Sequence, residues 1–279
     1  MSSPRLGQKI VAMASNKKTV AKHQWQGEKK APGQYLSSIH AIEAALAPTN
    51  SRVLELWVAQ QRQDKRITAI IGTAKARQIP VHMVDNAQIK TIANGKQQGC
   101  VVRCKPLQPH PESSLQQLIS QLIDSSIIPL ILILDSIQDP HNLGACLRTA
   151  EAAGVHAVIA PKDKATGLTE TVIDIASGSA ERMPFFAVTN LARVLRELKQ
   201  NGIWLIGTSS HAESDIYQLS LDGPIAFILG AEGKGLRRLT QSHCDQLAMI
   251  PMAGEIESLN VSVAAGVGLF EIMRQRSLR

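Results

Sequence analysis

From Ile128 onward the chain repeats one pattern: a short apolar run, a stretch with helical spacing, then another apolar run. The runs fall at Leu130–Leu134, Ala157–Ala160, Pro184–Val188, Trp204–Gly207, Ile225–Leu229 and Ala248–Ile250. Helical spacing falls at about 142–153, 168–181, 190–201, 235–243 and 259–275. A strand that is apolar throughout must be covered on both faces, and intervening helices supply that cover. The segment is therefore expected to be α/β, built on a mostly parallel sheet. Ligands of such sheets bind beyond the carboxyl ends of the strands, so chemistry is sought in the loops that follow them.

Ahead of this block, residues 35–105 read as a smaller α/β unit. Ile39, Ile42, Ala45 and Leu46 form a helical stripe, Val53–Val58 a strand, Ile67, Ile70, Ile71 and Ala74 a second helix, and Pro80–Val84 a second strand. A short helix over 88–93 and a strand over 99–103 follow. Segment 106–114 carries three prolines and few apolar side chains, which predicts a connector. With a helix over 115–123, it separates the two units, so the expected division is 1–34, 35–105, 106–127 and 128–279.

The charge is not evenly spread. Of the formal +7, residues 1–32 hold +6: Arg5, Lys9, Lys17, Lys18, Lys22, Lys29 and Lys30 against Glu28. This predicts a basic, flexible arm drawn to a polyanion, or else a solvated tail that aids solubility. The longest apolar run, Ile127 to Leu134, contains Pro129 and falls short of the roughly 18–20 residues that span a bilayer. The amino terminus lacks the apolar core of a secretory signal. Cys100, Cys104, Cys146 and Cys244 have no zinc spacing. A soluble cytoplasmic protein without metal is expected.

Three strand-end loops carry the polar residues of interest. After 130–134, Asp139-Pro140 is a helix start, and Leu143, Cys146, Leu147, Ala150 and Ala153 form a buried stripe closed by Gly154. Asn142 sits in the first turn. Arg148 lies off the stripe, where it is either a functional cation or an ordinary surface residue paired with Glu151. Gly144, costly inside a helix, implies a close approach by backbone or ligand. After 225–229 comes Gly230-Ala-Glu232-Gly233-Lys234-Gly235, neither a Walker loop nor a dinucleotide fingerprint. It is either a ligand cradle around Glu232 or a plain turn. After Ile250-Pro251-Met252, Ser258 can cap the last helix and leave Asn260 in its first turn. That helix is apolar on nearly every side, which predicts burial all round, between sheet and a second subunit.

Taken together, N-L-G-A-C-L-R at 142–148, G-A-E-G-K-G at 230–235 and I-P-M…S-L-N-V-S-V-A at 250–264 resemble the three motifs of the SpoU branch of the SPOUT RNA methyltransferases. The resemblance extends over about 35–279. It implies a carboxyl-terminal domain with a deep trefoil knot, S-adenosylmethionine as methyl donor and a homodimer through the last helix. It also implies a ribosomal-protein-L30-like RNA-recognition domain over 35–105. The implied activity is methylation of the ribose 2′-hydroxyl of a guanosine in 23S rRNA. A tRNA ribose methyltransferase and a non-catalytic RNA-binding assembly factor are the alternatives. Carried over position by position, Gly230, Ile250 and Leu259 would contact the donor through main chain. Asn142, Arg148, Glu232, Ser258 and Asn260 would form the catalytic and ribose-binding set. Departures from the family pattern lie elsewhere: the basic tail is extra, Ser38 replaces a glycine, and Gln97 stands where histidine is usual.

Overall fold

The computed structural model describes residues 33–62, 64–93 and 99–278. The expectations for the basic arm over 1–32 and for Gln97 lie outside the described residues. Two sheets organise the chain. The smaller unit contains β1 (Gln34–Leu36), α1 (Ile39–Ala45), β2 (Val53–Ala59), α2 (Lys65–Ala76), β3 (Val81–Val84), α3 (Asn86–Ile92) and β4 (Cys100–Cys104). Its sheet runs β1-β4-β2-β3, with β2 and β3 parallel and β4 antiparallel to β1 and β2. β1 was not foreseen. It is too short to show a period, and it begins at Gln34, inside the segment assigned to the arm.

The larger unit follows α4 (Ser113–Asp124). It comprises β5 (Leu130–Asp135), α5 (Pro140–Ala152), β6 (Ala157–Pro161), α6 (Glu170–Ile175), α7 (Ser179–Arg182), β7 (Phe185–Val188), α8 (Leu191–Gln200), β8 (Trp204–Thr208), β9 (Ser214–Asp215), β10 (Ile225–Gly230), α9 (Arg238–His243), β11 (Gln246–Met249) and α10 (Val261–Arg276). The strand order is β7-β6-β5-β10-β8-β11-β9 and every pairing is parallel. All six residues of β5 are buried. Leu130, Leu132 and Leu134 join the core under α5, α6 and α10, while Ile131 and Ile133 join the one under α4 and α8. The two-residue period of a strand thus feeds two apolar layers at once.

Three expectations concerning helices need correction, and the connector and Gly144 gain their structural setting. The helix expected over 168–181 is two helices, because Ser177 and Gly178 adopt left-handed backbone (φ 52° and 91°). The last helix begins at Val261, with Asn260 rather than Ser258 as its cap. It is also not buried all round: Val263, Phe270 and Met273 are exposed along one side. The proline-rich connector is seated on the larger sheet, where His110 forms a bridge beside edge strand β7 and donates its N–H to the Phe185 carbonyl at 2.8 Å. The close approach at Gly144 is to backbone: a Cβ there would stand 2.8 Å from the Val172 carbonyl and from Ile175, so α5 and α6 nearly touch. No helix among the described residues is long and apolar enough to cross a membrane.

His156 ties pH to this core. Its Nδ1 accepts the Leu130 N–H at 3.0 Å, at the start of the central strand. Burial holds its pKa below the usual 6.5, and the nearby Arg276 cation acts in the same direction. The folded state therefore favours the neutral ring. Its contribution is complete above the unfolded value and is lost as pH falls through the lower folded value. Thermal unfolding from about pH 7 to 5 is expected to show a steeper loss of Tm for the native chain than for His156→Asn, which keeps an acceptor but does not titrate.

Candidate active site at the carboxyl ends of β5, β10 and β11

Parallel pairing places the carboxyl ends of β5 and β10 side by side, with Gly230 in register with Asp135. Asp139 caps α5, its Oδ1 accepting the His141 N–H at 2.9 Å, and Pro140 occupies the first helical position. This fixes Asn142 in the first turn, where it is buried. After β10 the chain folds back on itself: Ala231 bridges Gly235, whose N–H donates to the Ala231 carbonyl at 2.8 Å. A Cβ on Gly230 would lie 2.0 Å from the Gly235 carbonyl carbon, so no other residue fits beneath this returning backbone. The fold-back holds Glu232 at its tip. Asn260 caps α10 by accepting the Ser262 N–H at 2.9 Å, which leaves its amide nitrogen free to donate elsewhere.

The three loops meet at one oxygen. Glu232 Oε1 accepts from Asn142 Nδ2 at 3.0 Å, Asn260 Nδ2 at 2.5 Å and the Val261 N–H at 3.4 Å. Asn260 Nδ2 also donates to Asn142 Oδ1 at 2.9 Å. Glu232 Oε2 has no hydrogen-bond partner among the described residues. The cluster opens onto a cleft of about 460 Å³, whose other walls include Ser136, Lys164, Lys234 and Arg237. Beneath it, burial pushes the Cys146 thiol up to about 12, with the Glu232 carboxylate adding to the shift, so this thiol is not a nucleophile at neutral pH.

The remaining expected residues stand apart from the cluster. Arg148 lies on the exposed side of α5 and has no hydrogen-bond or ion-pair partner among the described residues. Its anticipated mate, Glu151, pairs instead with Arg182 Nε at 2.7 Å. Ser258 is exposed in the loop before α10. Ile250 and Leu259 are half-buried at the two ends of the same loop. The peptide groups of residues 250–259 make no hydrogen bond among the described residues, so their N–H and C=O groups are available to a ligand.

Two participants were missed. Asp135, fully buried at the end of β5, accepts the Arg237 N–H at 3.1 Å and pairs with Arg237 Nε at 2.6 Å. This clamp fixes the exit of the glycine-rich fold-back. The available signal was an acid closing an otherwise wholly apolar strand. Lys164 reaches the cleft from a left-handed backbone position (φ 58°) in a loop that carries no periodicity. Among the described residues, no group of three or more His, Cys, Asp or Glu is arranged to hold a metal.

A small α/β domain ahead of a parallel α/β domain, with an amide–carboxylate cluster assembled from strand-end loops, defines the class: RNA ribose methylases of the type the three segments resemble. The chain belongs to the SpoU rRNA Methylase family, whose model matches residues 129–270, and the family "RNA 2'-O ribose methyltransferase substrate binding" matches residues 39–110. The 23S rRNA (guanosine-2'-O-)-methyltransferase RlmB of Pseudomonas aeruginosa is 51% identical over 86% of this chain and 95% of that protein. A crystal structure of an RNA 2'-O ribose methyltransferase superposes with a TM-score of 0.70 at 26% identity, covering 87% of this chain and 88% of that one. The SpoU methyltransferase AviRb of Streptomyces viridochromogenes, solved in complex with the cofactor AdoMet, shares the fold (TM-score 0.71, 20% identity, 88% and 91% covered).

Capping and clustering at Asn260 are separable. Asn260→Ala is expected to lose about 1 kcal/mol of stability, the usual cost of a lost cap. Asn260→Ser keeps a capping oxygen and is expected to retain most of that stability while releasing Glu232. Denaturant midpoints of the two variants check this.

Proposed function

We propose that this chain transfers a methyl group from S-adenosylmethionine to the ribose 2′-hydroxyl of a guanosine in 23S rRNA. The observation that carries the reading is the convergence of Asn142, Glu232 and Asn260 on the cleft. The donor supplies an electrophilic methyl on a sulfonium and leaves as a thioether. The unbonded peptide groups of 250–259 fit a ligand held through main chain, with Ile250 and Leu259 at the ends of that stretch and Gly230 at the end of β10, with β8 between it and β11.

The reaction needs the sugar oxygen aligned with the methyl carbon and its proton taken away. Alignment is the larger contribution, since good orientation supplies roughly 7–11 kcal/mol. Asn142 and Asn260 hold Glu232 through Oε1, and Oε2 is left to receive the hydroxyl proton. Arginine keeps its proton in proteins, with a pKa above about 12. Arg148 therefore acts as a cation that grips an RNA phosphate from the exposed side of α5. Ser258, in the same loop as the main-chain donors, contacts the ribose. Lys164 and Lys234 make the cleft attractive to phosphate.

The enzyme works as a cytoplasmic homodimer. The exposed apolar side of α10, formed by Val263, Phe270 and Met273, supports a second copy there. The knot expected of the fold is supported by the return of α10, which follows β11, across β8 to pack on α5 and β10. The basic arm and the small domain engage RNA. The identity to 23S rRNA methyltransferases favours rRNA over tRNA as substrate, and the assembled cluster favours catalysis over a purely binding role.

Tritium transfer from labelled donor to unmodified 23S rRNA fragments, with tRNA as comparison, tests the activity; labelling of tRNA alone would defeat the rRNA assignment. Arg148→Lys keeps the charge and loses the planar fork, so its single-turnover rate is expected to fall roughly 10–100-fold. Glu232→Gln is expected to lose about 100-fold and to flatten the acid limb of the pH–rate profile. An unchanged profile removes Glu232 from the proton path.

A further inference from the structure

The small domain is seated on the methylase domain through α6 and α7. Asp174 of α6 accepts the N–H groups of Ser37 and Ser38, each at 3.1 Å, and the Ser37 hydroxyl at 3.0 Å. Ser38 precedes α1 without a side-chain cap hydrogen bond, and Asp174 instead holds the two amides just ahead of the helix. Glu170 accepts the Tyr35 N–H at 2.7 Å. On α7, Glu181 accepts from Arg52 Nε at 2.8 Å and from Asn50 Nδ2 at 2.6 Å, and also pairs with Arg52 Nη2. The side chains of Arg52 and Glu181 are only 9% and 3% exposed. Arg52 Nη1 reaches the Lys105 carbonyl at 2.7 Å, which ties the start of the connector to the same point. Ala44 of α1 presses on Gly178 between the two helices.

Two facts set this interface apart from a hinge. Interfaces between mobile domains are polar and wet, whereas this ion pair is withdrawn from water. Buried pairs contribute little net stability against apolar replacements, and fixing one geometry is among their best-attested uses. Secondly, the seat is the back of the catalytic helix. α6 and α7 pack on α5, where Arg182 pairs with Glu151 and Gly144 abuts Val172, and α5 carries Asn142 and Arg148.

We infer that Arg52, Glu181 and Asp174 are positioning residues that lock the substrate-binding domain in one orientation on the methylase domain. RNA held by the small domain then meets the cleft at a fixed distance and angle. This rests on the methylase reading above. The lock converts two separate contacts with one RNA into a preorganised pair, which raises the effective concentration of the target at the cleft.

The test uses the full chain and the variants Arg52→Ala and Ala44→Glu. Ala44 is buried against Gly178, so Ala44→Glu wedges the seat apart while leaving both members of the Arg52–Glu181 pair in place. KM and kcat are measured on a long 23S fragment and on a short hairpin carrying the guanosine first mapped with the native chain. Small-angle X-ray scattering reports domain arrangement independently of activity. Both variants are expected to raise KM for the long fragment about tenfold or more, to leave kcat on both RNAs nearly unchanged, and to increase the radius of gyration. Equal loss of kcat on both RNAs would assign these residues to supporting α5 and overturn the inference, as would unchanged KM and scattering. A native chain inert on every RNA would instead defeat the methylase reading, and scattering would still decide the lock.

Discussion

Glu232 Oε1 is the point at which the catalytic domain closes on itself. Its three donors come from the first turn of α5, the cap of α10 and the first amide of α10. Asn142 and Asn260 lie 90 and 28 residues from Glu232, and a sheet whose strands all run the same way delivers their loops to one end. The convergence requires three further conditions: Pro140 and Asp139 to start α5 on time, Gly230 to let the returning backbone through, and Asp135 to pin that backbone by way of Arg237. Asn142, the buried member of the cluster, anchors this exposed carboxylate to the core.

Most of this sheet could be read from sequence, because a strand buried on both faces has no polar positions to confuse the period. β5, β6, β8 and β10 fall within a residue or so of their expected ends. Legibility fails where one local signal competes with another. Ser258 and Asn260 are both good caps, and the choice between them is made by tertiary structure: Asn260 can accept from Ser262 while donating to Glu232 and Asn142, whereas a hydroxyl at 258 offers only one short reach. The break between α6 and α7 was hidden because Ser177 takes a left-handed backbone that its side chain does not advertise. Gly178 was read as part of a helix, although it marks the seat of the other domain.

The candidate site was legible as three loops but not as a geometry. Asn142, Glu232 and Asn260 meet; Arg148 and Ser258 stay on the exposed side with no partner among the described residues. Spacing along α5 explains the difference for Arg148, since six residues of helix turn its side chain away from Asn142. Asp135 escaped notice because an acid at a strand end reads as the start of a turn. Its burial becomes apparent only when Arg237 is brought to it from about a hundred residues away.

The contrast between the saturated oxygen of Glu232 and the unsatisfied groups around it has a physical consequence. The peptide groups at 250–259 and the exposed guanidinium of Arg148 are solvated by water, so leaving them unpaired costs little. Once a ligand expels that water, each must find a partner or carry a desolvation penalty. A donor held along 250–259 satisfies the peptides but leaves Arg148 unmatched, and a polyanion alone does the reverse. On the proposed reading the methyl donor compensates the peptides and an RNA phosphate compensates Arg148, so neither ligand can stand in for the other.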